Sequence, residues 1–251
     1  MVRRYVHGRA RDGLWDTIRT IVFAILIALV ARTTAYEPFN IPSSSMVPTL
    51  LIGDYLFVSK YSYGYSRYSL PFGLPLIEDR IFFTPPERGD VAVFKLPSDN
   101  RTDYIKRIIG LPGDEIQMKE GRLYINGEIV EREPLEDFEM ENSHGASRAI
   151  HQYIETLPND RRHLIIEASD EGQLDNTPVY QVPPDHYFVM GDNRDNSLDS
   201  RAKHGVGFVP KENLVGRAEV LFFSVNGGAR IWEVWKWPVS IRFRRLFQTV
   251  D

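Results

Sequence analysis

A chain of 251 residues, 43% of them hydrophobic, can bury one substantial core or two small ones, which excludes disorder as its main state. A net charge of -4 gives no support for nucleic-acid binding, which shows as a basic face or a high pI. With no cysteine, disulfides, thiolate metal sites and cysteine nucleophiles are excluded together.

Arg3, Arg4, Arg9 and Arg11 precede Leu14, Trp15, Ile18 and an unbroken apolar run over residues 20–31. Basic residues ahead of an apolar helix predict a cytoplasmic N-terminus. The run is short, since twelve residues of helix rise only about 18 Å against a hydrocarbon core of roughly 30 Å. A span requires a helix over residues 14–36, with Arg19 and Arg32 snorkelling outwards and Trp15 and Tyr36 as interfacial anchors. A cleavable signal peptide ending near Thr33-Thr34-Ala35 is the rival reading and a buried core helix a third. The retained anchor is favoured, and it places the remaining chain across the membrane.

Residues 41–50, Ile-Pro-Ser-Ser-Ser-Met-Val-Pro-Thr-Leu, hold three serines between two prolines. Each proline fixes its own φ, and Val47 is restricted by Pro48. Such a stiff loop presents a hydroxyl in one direction, as a nucleophile requires; the plainer alternative is a linker.

From Leu51 onward short apolar runs alternate with turn residues. Strands are predicted over residues 54–60, 91–96, 104–109, 164–166, 187–190 and 214–224, with a loop rich in Tyr, Phe, Pro and Gly over residues 61–86. Arg88-Gly89-Asp90 reads as a turn, not an adhesion signal, and Asn126-Gly127 suits a type I′ hairpin within residues 122–130. Acidic residues 131–141 read as solvated surface. The tail, residues 229–250, mixes Trp232, Trp235 and Trp237 with Arg230, Lys236, Arg242, Arg244 and Arg245, fitting either a membrane-interface contact or a packed terminal segment. Many short strands argue a mainly β fold.

A serine becomes a nucleophile only beside a base. His7 precedes the apolar run, His144, His151 and His163 lie in the middle of the chain, and His186 and His204 flank residues 190–201. A triad of Ser45, His204 and Asp192 or Asp199 is conceivable, but no spacing selects it. In an extended strand Lys106 shares a face with Tyr104 and Ile108, and Arg107 shares the other with Ile105 and Ile109, so one of the two cations is expected to face inwards. Lysine is a base near neutrality only when burial pulls its pKa down from about 10.4, roughly 3 to 4 kcal/mol of differential solvation. Arginine stays protonated. The plainer reading of Lys106 is a snorkelling edge-strand residue. A calcium loop starting at Asp192 fails, with Arg194 at its third position and Ser197 where glycine is needed. A polar buttress, its carboxylates paired with Arg194 and Arg201, is the better reading.

Four stretches in order, residues 42–50, 88–91, 106–114 and 191–201, resemble the sequence boxes of bacterial type I signal peptidases, with Glu37-Pro38-Phe39 beside them. The resemblance implies a Ser/Lys-dyad endopeptidase that removes signal peptides from exported preproteins after small-x-small sites, with no cofactor and no metal. The serine directly before methionine, Ser45, matches the nucleophile and Lys106 the general base. Ser43 matches the oxyanion-hole donor, acting with the Ser45 backbone N–H. Ser197 matches a serine that hydrogen-bonds the lysine amine. Asp199 with Arg201 matches a supporting ion pair, and Asp192 and Arg107 join that support. Ser44 departs from the pattern, in which glycine is commonest. The implied fold is a β-rich catalytic core, residues 37–114 and 186–251, with an inserted smaller β subdomain over residues 115–185. Residues 1–13 would be cytoplasmic and residues 14–36 a transmembrane anchor. The implied setting is the bacterial inner membrane, single-pass, with a periplasmic catalytic domain. The implied partners are preprotein signal peptides, phospholipid and the output of the secretion translocon, and no nucleic acid. The competing readings are a related Ser/Lys peptidase of the conjugative pilin-processing type and an inactive membrane-anchored β scaffold.

Overall fold

A computed structural model describes residues 9–70, 77, 79–141, 147–226 and 232–250. Arg3, Arg4, His7, His144, Arg230 and part of the predicted 61–86 loop lie outside the described residues. Helix α1 (Arg9–Thr34) takes in the apolar run, and Leu14, Trp15, Ile18, Phe23 and Ile27 on it are exposed. Among the described residues no helix is long and apolar enough to cross a membrane. The helix also stops short of the expected Tyr36, which opens strand β1 (Tyr36–Asn40). Pro38 is the physical reason, because it cannot donate within a helix and pushes Glu37 into extended geometry.

The next strands are β2 (Asp54–Ser59), β3 (Val91–Lys95) and β4 (Asp103–Gly110). The stretch from residue 115 to 181 supplies β5 (Glu115–Lys119), β6 (Arg122–Ile125), β7 (Glu128–Ile129), β8 (Glu131–Pro134), β9 (Phe138–Glu141), β10 (Ser147–Thr156), β11 (Arg162–Glu167) and β12 (Tyr180–Gln181). The last strands are β13 (His186–Met190), β14 (Val209–Pro210) and β15 (Leu214–Ser224). The protein is mainly β. A seven-stranded sheet runs β1-β2-β15-β3-β4-β13-β14, a second sheet β12-β5-β6-β7, and a third β11-β10-β8 with β9 on β10. Asn126 and Gly127 both have positive φ, as a type I′ turn demands, between Ile125 and Glu128 in register. The acidic stretch is mostly solvated, as expected, and carries β8 and β9.

Period-2 alternation builds two faces of the large sheet. Val91 and Val93 join Met46, Leu50, Leu56, Val58 and Leu221, while Ala92 and Phe94 join Ile108, Val189 and Val209. On β13, Phe188 and Met190 face a third cluster made with Ile109, Ile116, Met118, Leu123 and Ile125. Strand β4 is therefore covered on both sides. This corrects two expectations: β4 is not an edge, and both of its cations are buried, Lys106 3% and Arg107 0% exposed.

In the tail, Trp237 packs on Phe223 at 5.0 Å between ring centres, whereas Trp232 and Trp235 are exposed. Arg245 pairs with buried Asp54 at 2.6 Å, so that cation is structural.

Candidate active site

The serine loop is drawn onto the core by its apolar residues. Ile41, Met46, Val47 and Leu50 are buried, Val47 N–H bonds the Ser44 carbonyl at 3.2 Å, and Leu50 N–H bonds that of Met46 at 2.8 Å. Burying Met46 leaves the preceding Ser45 facing Lys106 of β4. Its Oγ lies 2.6 Å from Lys106 Nζ, which also donates to the Ile105 carbonyl at 3.1 Å. Both residues are less than a tenth exposed. Ser43 is exposed, with its Oγ 3.4 Å from Ser45 Oγ.

Burial pushes Lys106 down to about 8, against the opposing pull of Asp199 and Asp192. That pull is weak because both carboxylates are taken. Asp192 receives Arg107 Nε and Nη2, each at 2.8 Å, and Thr49 Oγ1 at 2.5 Å. Asp199 receives Arg201 Nε at 3.0 Å and Nη2 at 2.9 Å, with the Gly191 N–H at 3.0 Å. Burial alone would raise these two carboxyls; their arginines hold both below the usual range. Bidentate pairing with fully buried arginine fixes the segment that faces the serine loop.

That segment approaches closely. A Cβ on Gly191 would stand 2.3 Å from Ser197 Oγ and 2.4 Å from the Ser45 carbonyl oxygen, so only glycine fits. Ser197 is buried beside it, but the expected hydrogen bond to Lys106 is not formed, and among the described residues Ser197 Oγ has no partner. The histidine alternative fails on geometry, for His204 is exposed and the two aspartates are bonded to arginines.

The predicted residues Ser45, Lys106, Ser43, Asp192, Arg107, Asp199 and Arg201 thus come together, with Ser197 adjacent. Sequence reasoning gave no role to Thr49, Glu155 or Asn193 and met His163 only as one of the candidate bases. Glu155 on β10 accepts both Nη atoms of Arg194 and lies 3.3 Å from His163, and all three are buried. Burial opposes its ionisation, yet Arg194 and His163 hold Glu155 at about 2. Arg194 was visible in the sequence; its partner, lying in a polar stretch with no apolar alternation, carried no signal.

The family described as signal peptidase, peptidase S26, matches residues 14–223. Signal peptidase I of Rickettsia canadensis (strain McKiel) is 39% identical over 249 residues, 92% of each chain. That of Rickettsia typhi (strain ATCC VR-144 / Wilmington) is 40% identical over 92% of each chain, and that of Rickettsia massiliae (strain Mtu5) 41% over 92% of this chain and 91% of its own. A solved signal peptidase I from Enterococcus faecalis V583 is 26% identical over 53% of this chain and 97% of its own, with a TM-score of 0.31, a superposition too loose to carry detail across. The relatives at about 40% identity define a serine protease. The chain belongs to the signal peptidase I family, peptidase family S26, whose activity is signal-peptide removal.

Proposed function

We propose that the chain cuts preproteins by a Ser45/Lys106 mechanism at a bilayer surface. The observation that carries the reading is the 2.6 Å contact between Lys106 Nζ and Ser45 Oγ in a buried site. With Lys106 neutral, the Ser45 hydroxyl donates to the amine, and Oγ attacks the scissile carbonyl as its proton passes to Nζ. The oxyanion is met by Ser43 Oγ and the Ser45 N–H; a donor of this kind contributes about 3 to 4 kcal/mol. The protonated lysine then gives its proton to the leaving amine, and the neutral amine activates water to release the acyl group. Asp199–Arg201 and Arg107–Asp192 are assigned to support the dyad, their carboxylates being bonded to arginine, and Ser197, buried with its Oγ unpartnered among the described residues, is assigned to bond the amine.

The catalytic core is assigned to residues 37–114 and 186–251 and the insert to residues 115–185, supported by the membership of the large sheet. Residues 14–34 are assigned as a single-pass anchor, with a cytoplasmic N-terminus and a periplasmic catalytic domain in a bacterial inner membrane, where small-x-small sites arrive from the translocon. The basic-then-apolar pattern and the exposed face of α1 support this. Trp232 and Trp235 are placed against the same bilayer.

The test is cleavage of a preprotein carrying a small-x-small site by the intact chain in detergent or lipid. Ser45→Ala and Lys106→Ala are each expected to lower kcat by about a thousandfold or more, as loss of one member of a catalytic unit does. Undiminished cleavage by either variant would refute the dyad.

A further inference from the structure

The two peptide planes that flank Ser45 are both bonded by one residue, and the first of them shares its carbonyl with the Val47 N–H at 3.2 Å. Asn193, 4% exposed, gives its Nδ2 to the Ser44 carbonyl at 3.1 Å and its backbone N–H to the Ser45 carbonyl at 3.1 Å. Asn196 Nδ2 adds a bond to Ser44 Oγ at 2.8 Å. Asn193 is itself fixed from the third sheet, where Ile166 N–H bonds the Asp192 carbonyl and Arg194 N–H the Ile166 carbonyl, each at 3.0 Å.

A trans peptide is planar, so its N–H points opposite to its C=O. The Ser44 carbonyl and the Ser45 N–H are the two ends of one such plane. A donor that fixes the carbonyl therefore aims the N–H. The second bond fixes the following plane, so Asn193 bears on both φ and ψ of Ser45, beside the Val47 N–H that shares the Ser44 carbonyl. Among the described residues the Ser45 N–H donates to nothing, which leaves it free for a ligand oxygen.

We propose that Asn193 is the positioning residue of the oxyanion hole: it holds the Ser44–Ser45 plane so that the Ser45 N–H meets the charge developing on the scissile carbonyl. The proposal rests on Ser45 and Lys106 acting as described above. It concerns a direction and not a contact, because Asn193 itself bonds the backbone.

The test compares Asn193→Ala and Asn193→Asp with Ser45→Ala and Lys106→Ala, in the intact chain. The aspartate keeps the shape of the side chain, but its carboxylate repels the Ser44 carbonyl where the amide donated. The readouts are kcat and KM on a preprotein, and the inhibition constant of a peptide aldehyde whose adduct with Ser45 places an oxygen in the hole. For both Asn193 variants kcat is expected to fall about 10- to 100-fold, less than outright loss of a donor, with KM within about twofold. Aldehyde affinity is expected to fall by the same factor as kcat/KM, since both report binding of the tetrahedral state. Partial misfolding would lower the rate per milligram and leave the inhibition constant unmoved; that result overturns the proposal. Wild-type kcat in both variants, with Ser45→Ala and Lys106→Ala dead, also overturns it and leaves the dyad standing. Cleavage that survives Ser45→Ala or Lys106→Ala defeats the underlying reading instead.

Discussion

Lys106 and Arg107 are neighbours with opposite fates. Both are buried, but Arg107 is neutralised by Asp192, while Lys106 meets a neutral hydroxyl. With its pKa pushed down to about 8 by burial, Lys106 is mostly charged at pH 7 and mostly neutral above pH 8. The expected kcat/KM therefore rises with pH through about 8; a stopped assay across pH 6 to 10 checks this, and a limb rising near pH 6.5 would point to histidine instead. The same burial costs stability. Below pH 8 the lysine is charged in both folded and unfolded chains, and the folded state bears the full penalty, roughly 3 kcal/mol for this shift. Between pH 8 and 10.5 only the unfolded chain remains protonated, so the penalty is relieved as pH rises. Lys106→Met is accordingly expected to raise the melting temperature at pH 7 by several degrees, about 5 °C in order of magnitude, with the gain fading towards pH 10.5. Calorimetry at two pH values tests both sign and window.

At the scale of elements, what was legible depended on where burial falls. Strands such as β3 and β13 announce themselves because each alternates between two apolar clusters. Strand β10 does not, since Ile150 and Glu155 are its buried positions and one of them is a charge. The serine loop, Lys106 and the 191–201 segment were readable as motifs. That the Asp192 and Asp199 carboxylates are held by arginines was readable only in part, because Arg107 and Asp192 are far apart in sequence, and pairings of that kind leave no periodic trace. The tail divides in the same way. Trp237, half-buried and packed on Phe223, is expected to lower stability when changed to Ala by about 1 to 2 kcal/mol, less than a fully buried aromatic would. Trp232 and Trp235, both exposed, should weaken binding to phospholipid vesicles when both are changed to Ala. Co-sedimentation separates the two effects, and unaltered vesicle binding would remove the tail from the membrane reading.

For the molecule as a whole, the stretch of residues 115–185 has its own sheets but shares its core. Ile116, Met118, Leu123 and Ile125 pack on Ile109, Phe188 and Met190 of the large sheet, and Val47 of the serine loop packs with Ile150 and Ile166. The Glu155–Arg194 pair crosses the same boundary. Intact protein is therefore expected to melt in one calorimetric transition, and a chain lacking residues 115–185 to remain unfolded by circular dichroism, because it would expose that shared surface. Two separate transitions would show the stretch to be an independent unit.

Strand β1 joins the end of α1 to the serine loop, and it pairs with β2 along its whole length, from Tyr36 opposite Ser59 to Asn40 opposite Tyr55. A paired strand of five residues is a strut of about 17 Å and not a tether. Its length changes only in steps, because adding one residue turns every following side chain to the opposite face. If α1 lies in a bilayer, the altitude of the serine loop above it is thus graduated, set in steps of one residue of β1.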